Sequence, residues 1–200
     1  MLNVALTGNV AAGKSIVAQL FKKWGATLID SDVIVRELQQ PGSEVLDQIV
    51  QTFGPDILLH DGTLDRASLR HRVMSDAAAR RSLNAIVHPA VLARRQILEE
   101  AARARGDAIL VSDIPLLFEA ADPEAFDVIV LVDAPPMTRK ARLVEKRGLD
   151  PLEADRLLAA QDPTENKRER SDYLIDNDGT PAELERAARA VWQALEARAD

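Results

Sequence analysis

Hydrophobic residues along this chain fall into two kinds of pattern. Five short runs are almost continuously apolar, rich in β-branched residues and bounded by turn or polar residues: 3–7, 27–29, 108–112, 127–132 and 173–175. Unbroken hydrophobicity of this length predicts strands buried on both faces, as in a parallel sheet covered by helices. Between the runs, apolar residues recur at helical spacing. Val45, Leu46, Ile49, Val50 and Phe53 form one stripe, Ser43 stands where a cap belongs, and Gly54-Pro55 ends the pattern. Asp150-Pro151-Leu152-Glu153 opens another helix with a capping carboxylate, a proline at the first position and an acidic residue to bond back. Thr180-Pro181-Ala182-Glu183 repeats that signature for the last helix, which carries Leu184, Ala188, Val191 and Leu195 on one face.

The strands are unevenly spaced. The long stretch between the second and third, and the charged stretch between the fourth and fifth, exceed what a simple crossover needs. The expectation is one α/β domain over 1–200, with helical insertions at about 60–105 and about 136–171.

Composition narrows the function. The chain has 200 residues, 25 Lys plus Arg against 32 Asp plus Glu, and a formal net charge of −7. That balance argues against a general nucleic-acid binder, and 4% aromatic residues argues against a base-stacking platform. With no cysteine, disulfides, thiolate zinc sites and cysteine nucleophiles are excluded. The opening Met1-Leu2-Asn3-Val4 lacks a basic n-region and a long apolar core, and the run 128–132 is far too short to span a bilayer. The expectation is a cytoplasmic protein with no membrane partner.

Gly8-Asn9-Val10-Ala11-Ala12-Gly13-Lys14-Ser15 fits the pattern G-x-x-x-x-G-K-[ST] in full. It follows a strand and precedes an amphipathic helix. Glycines let backbone N–H groups turn inward onto phosphate oxygens, and the helix presents its positive end to the same anion. Lys14 is then the group that reaches the β- and γ-phosphates, and Ser15 supplies a hydroxyl to Mg²⁺. The N-K-x-D motif of guanine recognition is missing, since Asn166-Lys167-Arg168-Glu169 ends in Glu. Asp113 closes the third strand as a magnesium-side carboxylate should, but Ile114-Pro115-Leu116 follows, so there is no D-x-x-G switch. A kinase fits better than a switch GTPase.

The remaining motifs, in order, are Ile29-Asp30-Ser31-Asp32, Pro41-Gly42, and Leu64-Asp65-Arg66-Ala67-Ser68-Leu69-Arg70. After them come Ile86-Val87-His88-Pro89, Asp113-Ile114-Pro115-Leu116-Leu117-Phe118-Glu119, Gln161 and Ile175-Asp176-Asn177-Asp178-Gly179. This series resembles the dephospho-CoA kinase family over nearly the whole chain. The resemblance implies a P-loop NTPase fold with a five-stranded parallel sheet and helical substrate-binding and lid insertions. It also implies phosphorylation of the ribose 3′-hydroxyl of dephospho-CoA by ATP with Mg²⁺, giving coenzyme A and ADP, with no obligatory protein partner. Another small-molecule or nucleoside monophosphate kinase, or a non-catalytic nucleotide-sensing module, stands as the alternative.

The resemblance implies roles for particular residues. Asp32 is the carboxylate that accepts the proton of the 3′-hydroxyl, although on sequence alone it could also cap a helix starting at Val33. Thr7, Arg70, His88, Asp113, Leu117, Phe118 and Glu119 fall on the substrate side. His88 before Pro89 also reads as a helix-start residue, and Leu117 and Phe118 equally as core packing. Gly8, Ala11, Ala12, Gly13, Lys14, Ser15 and Ile16 hold the phosphates, with Ser15 and Asp113 toward the metal, and Asn177 and Gly179 near the adenine. Arg139, Lys140, Arg142, Lys146 and Arg147 make a locally basic segment in an acidic chain, and Arg139, Arg142 and Lys146 share one helix face. A charge run of this kind is usually a solvated face; here it is also what a lid needs to clamp phosphates, with Arg142 and Arg147 favoured. Lys167, Arg168 and Arg170 form a second cluster that could close from the other side. Within the loop this chain departs from the family's usual G-G-I-G-S-G-K-S-T at Asn9, Ala11, Ala12 and Ile16. Ala11 is the departure that bears on loop geometry, because alanine lacks glycine's freedom.

Overall fold

The computed structural model describes residues 1–115, 117–120, 122–161 and 164–199, without the side chains of residues 119 and 120. In chain order the elements are β1 (Leu2–Gly8), α1 (Lys14–Trp24), β2 (Thr27–Asp30), α2 (Ser31–Leu38) and α3 (Glu44–Phe53). Then come α4 (Arg66–Ser75), α5 (Ala77–Arg105), β3 (Ile109–Asp113), α6 (Leu117–Ala120), β4 (Val128–Asp133) and α7 (Pro136–Arg147). The chain closes with α8 (Pro151–Ala159), α9 (Thr164–Glu169), β5 (Tyr173–Asp176) and α10 (Pro181–Ala199). Single-turn 3₁₀ helices occupy Pro55–Ile57 and Pro123–Ala125.

The five strands form one sheet in the order β2-β3-β1-β4-β5. β1 pairs in parallel with β3 on one side and β4 on the other, and β4 pairs in parallel with β5. Every residue of β3 and β4 is buried, which is why these runs read as unbroken hydrophobicity. The fold is the expected one, a parallel sheet flanked by helices. Four of its strands end in aspartate, at Asp30, Asp113, Asp133 and Asp176, and the fifth ends in Gly8. The carboxyl ends of parallel strands are where ligands of such sheets collect.

Two compact units share the chain: Met1–Ile29 with Ala102–Asp200, and Asp30–Ala101. The first is built on the sheet. Phe21, wholly buried on α1, meets Trp192 of α10 with ring centroids 5.5 Å apart and Trp24 at 6.2 Å. The second has its own core, in which Val45, Leu46 and Ile49 of α3 pack with Ile57, Leu64, Leu69 and Val87. Val35 and Leu38 of α2 pack on this same cluster. The helix through Pro89 differs from expectation. α5 runs unbroken from Ala77 to Arg105 with Pro89 inside it, so His88 lies mid-helix and starts nothing. Among the described residues no helix is long and apolar enough to cross a membrane.

Local capping explains where several helices start. Ser43 accepts a hydrogen bond from Leu46 N, and Asp150 accepts from Leu152 N. At α10 the box is reciprocal: Thr180 Oγ1 accepts from Glu183 N while Glu183 Oε2 accepts from Thr180 N at 2.7 Å and from its hydroxyl at 2.8 Å. The Thr180 N–H, then its hydroxyl, hold the Glu183 carboxyl below its ordinary range. A depressed carboxyl contributes stability that is present above its unfolded-state pKa and is lost as pH falls through the folded one. The melting temperature of Glu183→Gln is therefore expected to match the parent more closely at about pH 3 than at neutral pH. Thermal unfolding followed by circular dichroism across that range checks it; an equal gap at both ends would refute the assignment.

Candidate active site

The loop from Gly8 to Ser15 joins β1 to α1. At Gly8 a β-carbon would collide with the carbonyl oxygen of Val132 on the neighbouring strand, so only glycine lets the loop leave the sheet there. Gly13, at φ 102°, lies in the left-handed region, and a β-carbon on it would collide with Asn177 Nδ2. Ala11 also takes the left-handed conformation, at φ 59°, and is the non-glycine that does so among the described residues. For an alanine this costs about 1–2 kcal/mol, so something must hold it.

Arg142 of α7 does. Its Nη1 donates to the carbonyls of Ala11 (3.2 Å) and Ala12 (3.3 Å), and its Nη2 donates to Asn177 O (2.9 Å) and Oδ1 (3.2 Å). Asn177 Nδ2 adds a 2.6 Å bond to Ala12 O, and Asn177 N is fixed to Asp133 O at 2.7 Å. In a trans peptide the N–H points opposite to the carbonyl. Pinning Ala12 O from behind thus aims the Gly13 N–H forward. No side chain caps α1, whose first turn begins at Lys14, so its leading N–H groups are available to an anion along with the helix dipole.

The Lys14 ammonium pairs with the Asp113 carboxylate, and both side chains are almost fully covered. Asp113 comes from β3 and Lys14 from the end of the β1 loop, adjacent strands in the sheet. Ser15 and Ile16 are exposed at the start of α1. A lysine, a serine hydroxyl, a strand-end carboxylate and the N–H groups at the start of α1 are the groups that a receptor for nucleotide phosphates uses. Ser15 and Asp113 offer two hard oxygens, which fits magnesium. That ion usually takes one or two protein oxygens and completes its shell with phosphate and water.

The residues of the two basic clusters are mostly engaged. Arg139 is 5% exposed, with Nε donating to Ala134 O at 3.0 Å and Nη1 without a partner among the described residues. Burial lowers its pKa, while Asp133 and Glu165 pull the other way. Arg168 bridges two strand ends, bonding Asp133 Oδ2 at 2.8 Å and Asp176 Oδ1 at 2.7 Å, and those carboxylates raise its pKa. Arg170 stacks over the Phe118 ring, 4.4 Å from its centroid. Lys167 is 1% exposed and donates to Asn9 Oδ1. Lys146 and Arg147 are exposed at the end of α7. The second cluster is therefore built into the fold, for a reason that no helical periodicity reveals: its partners lie on the phosphate loop and at the strand ends.

The other expected residues are placed as follows. Thr7 is buried at the end of β1. Leu117 is wholly buried with Ala5, Ile114 and Ile129, the core-packing side of its two readings, and Phe118 lies against that cluster. The Glu119 side chain is outside the described residues. Gly179 precedes the capping box of α10. In the second unit, Asp30 Oδ1 accepts from the N–H groups of Asp32 (2.9 Å) and Val33 (3.1 Å), so Asp30 is the cap and Asp32 stands exposed in the first turn of α2. Arg70 on α4 and His88 on α5 are exposed in the same unit.

Residues 2–183 match the family model for dephospho-CoA kinase. The chain belongs to the dephospho-CoA kinase family. A dephospho-CoA kinase of Streptomyces avermitilis is 45% identical over 199 residues, covering 100% of this chain and 96% of the relative. One from Mycolicibacterium paratuberculosis is 45% identical over 192 residues, and there this chain spans 96% of its own length but 47% of the relative's. The chain thus covers about half the length of the mycobacterial relatives that it matches. The crystal structure of TT1252 from Thermus thermophilus superposes with a TM-score of 0.80 at 34% identity, covering 97% of each chain.

For this member of the dephospho-CoA kinase family, Ala11→Gly is expected to raise stability. Relief of about 1–2 kcal/mol of left-handed strain outweighs about 0.5–1 kcal/mol of added chain entropy. Gly13→Ala should instead abolish ATP binding, since the collision is with the Asn177 side chain that orders the loop. Denaturant unfolding and nucleotide titration of both variants check the pair; a destabilised Ala11→Gly would refute the strain argument.

Proposed function

We propose that this chain transfers the γ-phosphoryl group of ATP to the ribose 3′-hydroxyl of dephospho-CoA, releasing coenzyme A and ADP, the last step of coenzyme A synthesis. The observation that carries this reading is the phosphate loop with Lys14 seated on Asp113, in a chain matched from residue 2 to 183 by the dephospho-CoA kinase family.

In the proposed reaction the 3′-oxygen attacks the γ-phosphorus and the bond to the β–γ bridging oxygen breaks. The 3′-proton passes to the Asp32 carboxylate and then to solvent, and ADP is the leaving group. Asp32 is suited to the task because Asp30 relieves it of capping. Its carboxylate is a modest base, so most of its effect comes from orienting the hydroxyl for in-line attack. Lys14 exchanges Asp113 for the β- and γ-phosphate oxygens and stabilises charge as it moves to the leaving group. Ser15 and Asp113 would hold Mg²⁺, which would supply electrostatic neutralisation of the phosphates. The backbone N–H groups of Ala11 through Ile16 that are not spent within the loop line the phosphate cradle. Gly8 gives the loop room to leave the sheet.

Arg147, exposed at the end of α7, is the arginine available to phosphate oxygens, whereas Arg142 acts on them through the loop it braces. Asn177 and Gly179 flank the adenine, and Thr7, Arg70, His88, Leu117, Phe118 and Glu119 serve the dephospho-CoA side, Leu117 from within the core. We place the reaction in the cytoplasm.

A coupled assay of ADP release with a panel of acceptors tests the reading. Turnover is expected with dephospho-CoA and Mg²⁺; turnover only with another acceptor, or ATP binding without acceptor-dependent ADP formation, would overturn it. Asp32→Asn is expected to lower kcat by at least about 10²-fold while ATP affinity stays near that of the parent. Near-parental turnover in that variant would remove Asp32 from the chemistry.

A further inference from the structure

The phosphate loop is held from two directions. Arg142 and Asn177 brace residues 11–13 from behind, as described above. Residues 9 and 10 are held by other partners. Asn9, 4% exposed, accepts from Lys167 Nζ at 2.8 Å through Oδ1 and donates to Thr164 Oγ1 at 2.8 Å through Nδ2. Val10 N donates to Gln161 Oε1 at 2.9 Å, on the same stretch of chain that leads into α9. The orientation of the amide follows from chemistry, because an ammonium can only donate and so must face the oxygen. Lys167 is itself buried, and a buried ammonium needs acceptors to offset the loss of water. Asn9 supplies one.

We propose that Asn9 is a positioning residue whose side chain clasps α9 to the phosphate loop before nucleotide binds, so that it sets affinity for ATP more than the rate of transfer. Glycine at this place would have no side chain with which to make either bond. In this chain the first half of the loop is thereby ordered in advance, and less conformational freedom is left to lose when phosphate arrives. The clasp is a property of the nucleotide-free protein; only its effect on catalysis rests on the kinase reading above.

Hydrogen exchange of the nucleotide-free protein tests the clasp directly. Asn9→Gly is expected to speed exchange in residues 164–170 and to raise trypsin cleavage after Lys167 and Arg168. ATP Kd, titrated without acceptor, should rise about 5–10-fold, the loss expected for one or two net hydrogen bonds. In turnover, KM for ATP should rise by that factor while kcat changes by less. Asn9→Asp should restore slow exchange, since a carboxylate accepts from Lys167 and from the Thr164 hydroxyl turned around. Lys167→Met should speed exchange as Asn9→Gly does, and combining the two should add little. Unchanged exchange in Asn9→Gly, additive effects in the double variant, or a kcat loss at constant KM would each overturn the proposal. Faster exchange in a protein that turns over no dephospho-CoA would leave the clasp standing and overturn the kinase reading instead.

Discussion

An anion receptor made of backbone must turn its N–H groups one way, and its carbonyls then need partners on the other. Here the partners are the Arg142 guanidinium and the Asn177 amide. Arg142 takes the carbonyls of Ala11 and Ala12 with one nitrogen and both oxygens of Asn177 with the other. A planar fork can serve two groups at fixed separation, which an ammonium on a flexible stem cannot. The left-handed alanine, the forward Gly13 N–H and the close approach of Asn177 are held by these two side chains together. Because Asn177 is in turn bonded to the end of β4, the loop geometry is anchored in the sheet as well as in the loop's own glycines.

The strand-end aspartates divide the labour among themselves. Asp30 caps α2, Asp113 holds Lys14, and Asp133 with Asp176 holds Arg168. In an acidic chain the lysine of the loop is kept against a carboxylate of the sheet, Asp113, and in the proposed reaction Lys14 is the group that exchanges this partner for phosphate. Arg168, tied to two carboxylates, is positioned to stay and fix α9 to the strand ends.

Much of this was legible in the residues, and the boundary between what was and was not has a physical cause. Strands came within about a residue of their observed limits because burial on both faces leaves an unbroken apolar run. The starts of α3, α8 and α10 were readable because Ser43, Asp150 and the Thr180–Glu183 box act on N–H groups two or three residues away. The phosphate loop was readable because its Gly, Lys and Ser stand at a fixed spacing between a strand and a helix. What the sequence does not display are contacts between residues far apart along it. Asn9 meets Lys167, Arg142 meets Ala11 and Asn177 meets Ala12 only in the folded chain. Asn9 did carry a signal, an amide where the resemblance implies glycine, but nothing local named its partner. The proline inside α5 was hidden for the opposite reason: packing of Val87 and its neighbours outweighs the local preference of Pro89.

β1 is the central strand, and both its neighbours, β3 and β4, come from beyond residue 108. The contiguous segment Asp30–Ala101 has a core of its own. As the polypeptide leaves the ribosome, the first strand and the phosphate loop therefore emerge with nothing to pair against, while the segment made after them already has a full set of packing partners. Residues 1–29 are made before that segment yet find their partners after it, and their apolar strand stays open to chaperones and to other nascent chains throughout that interval.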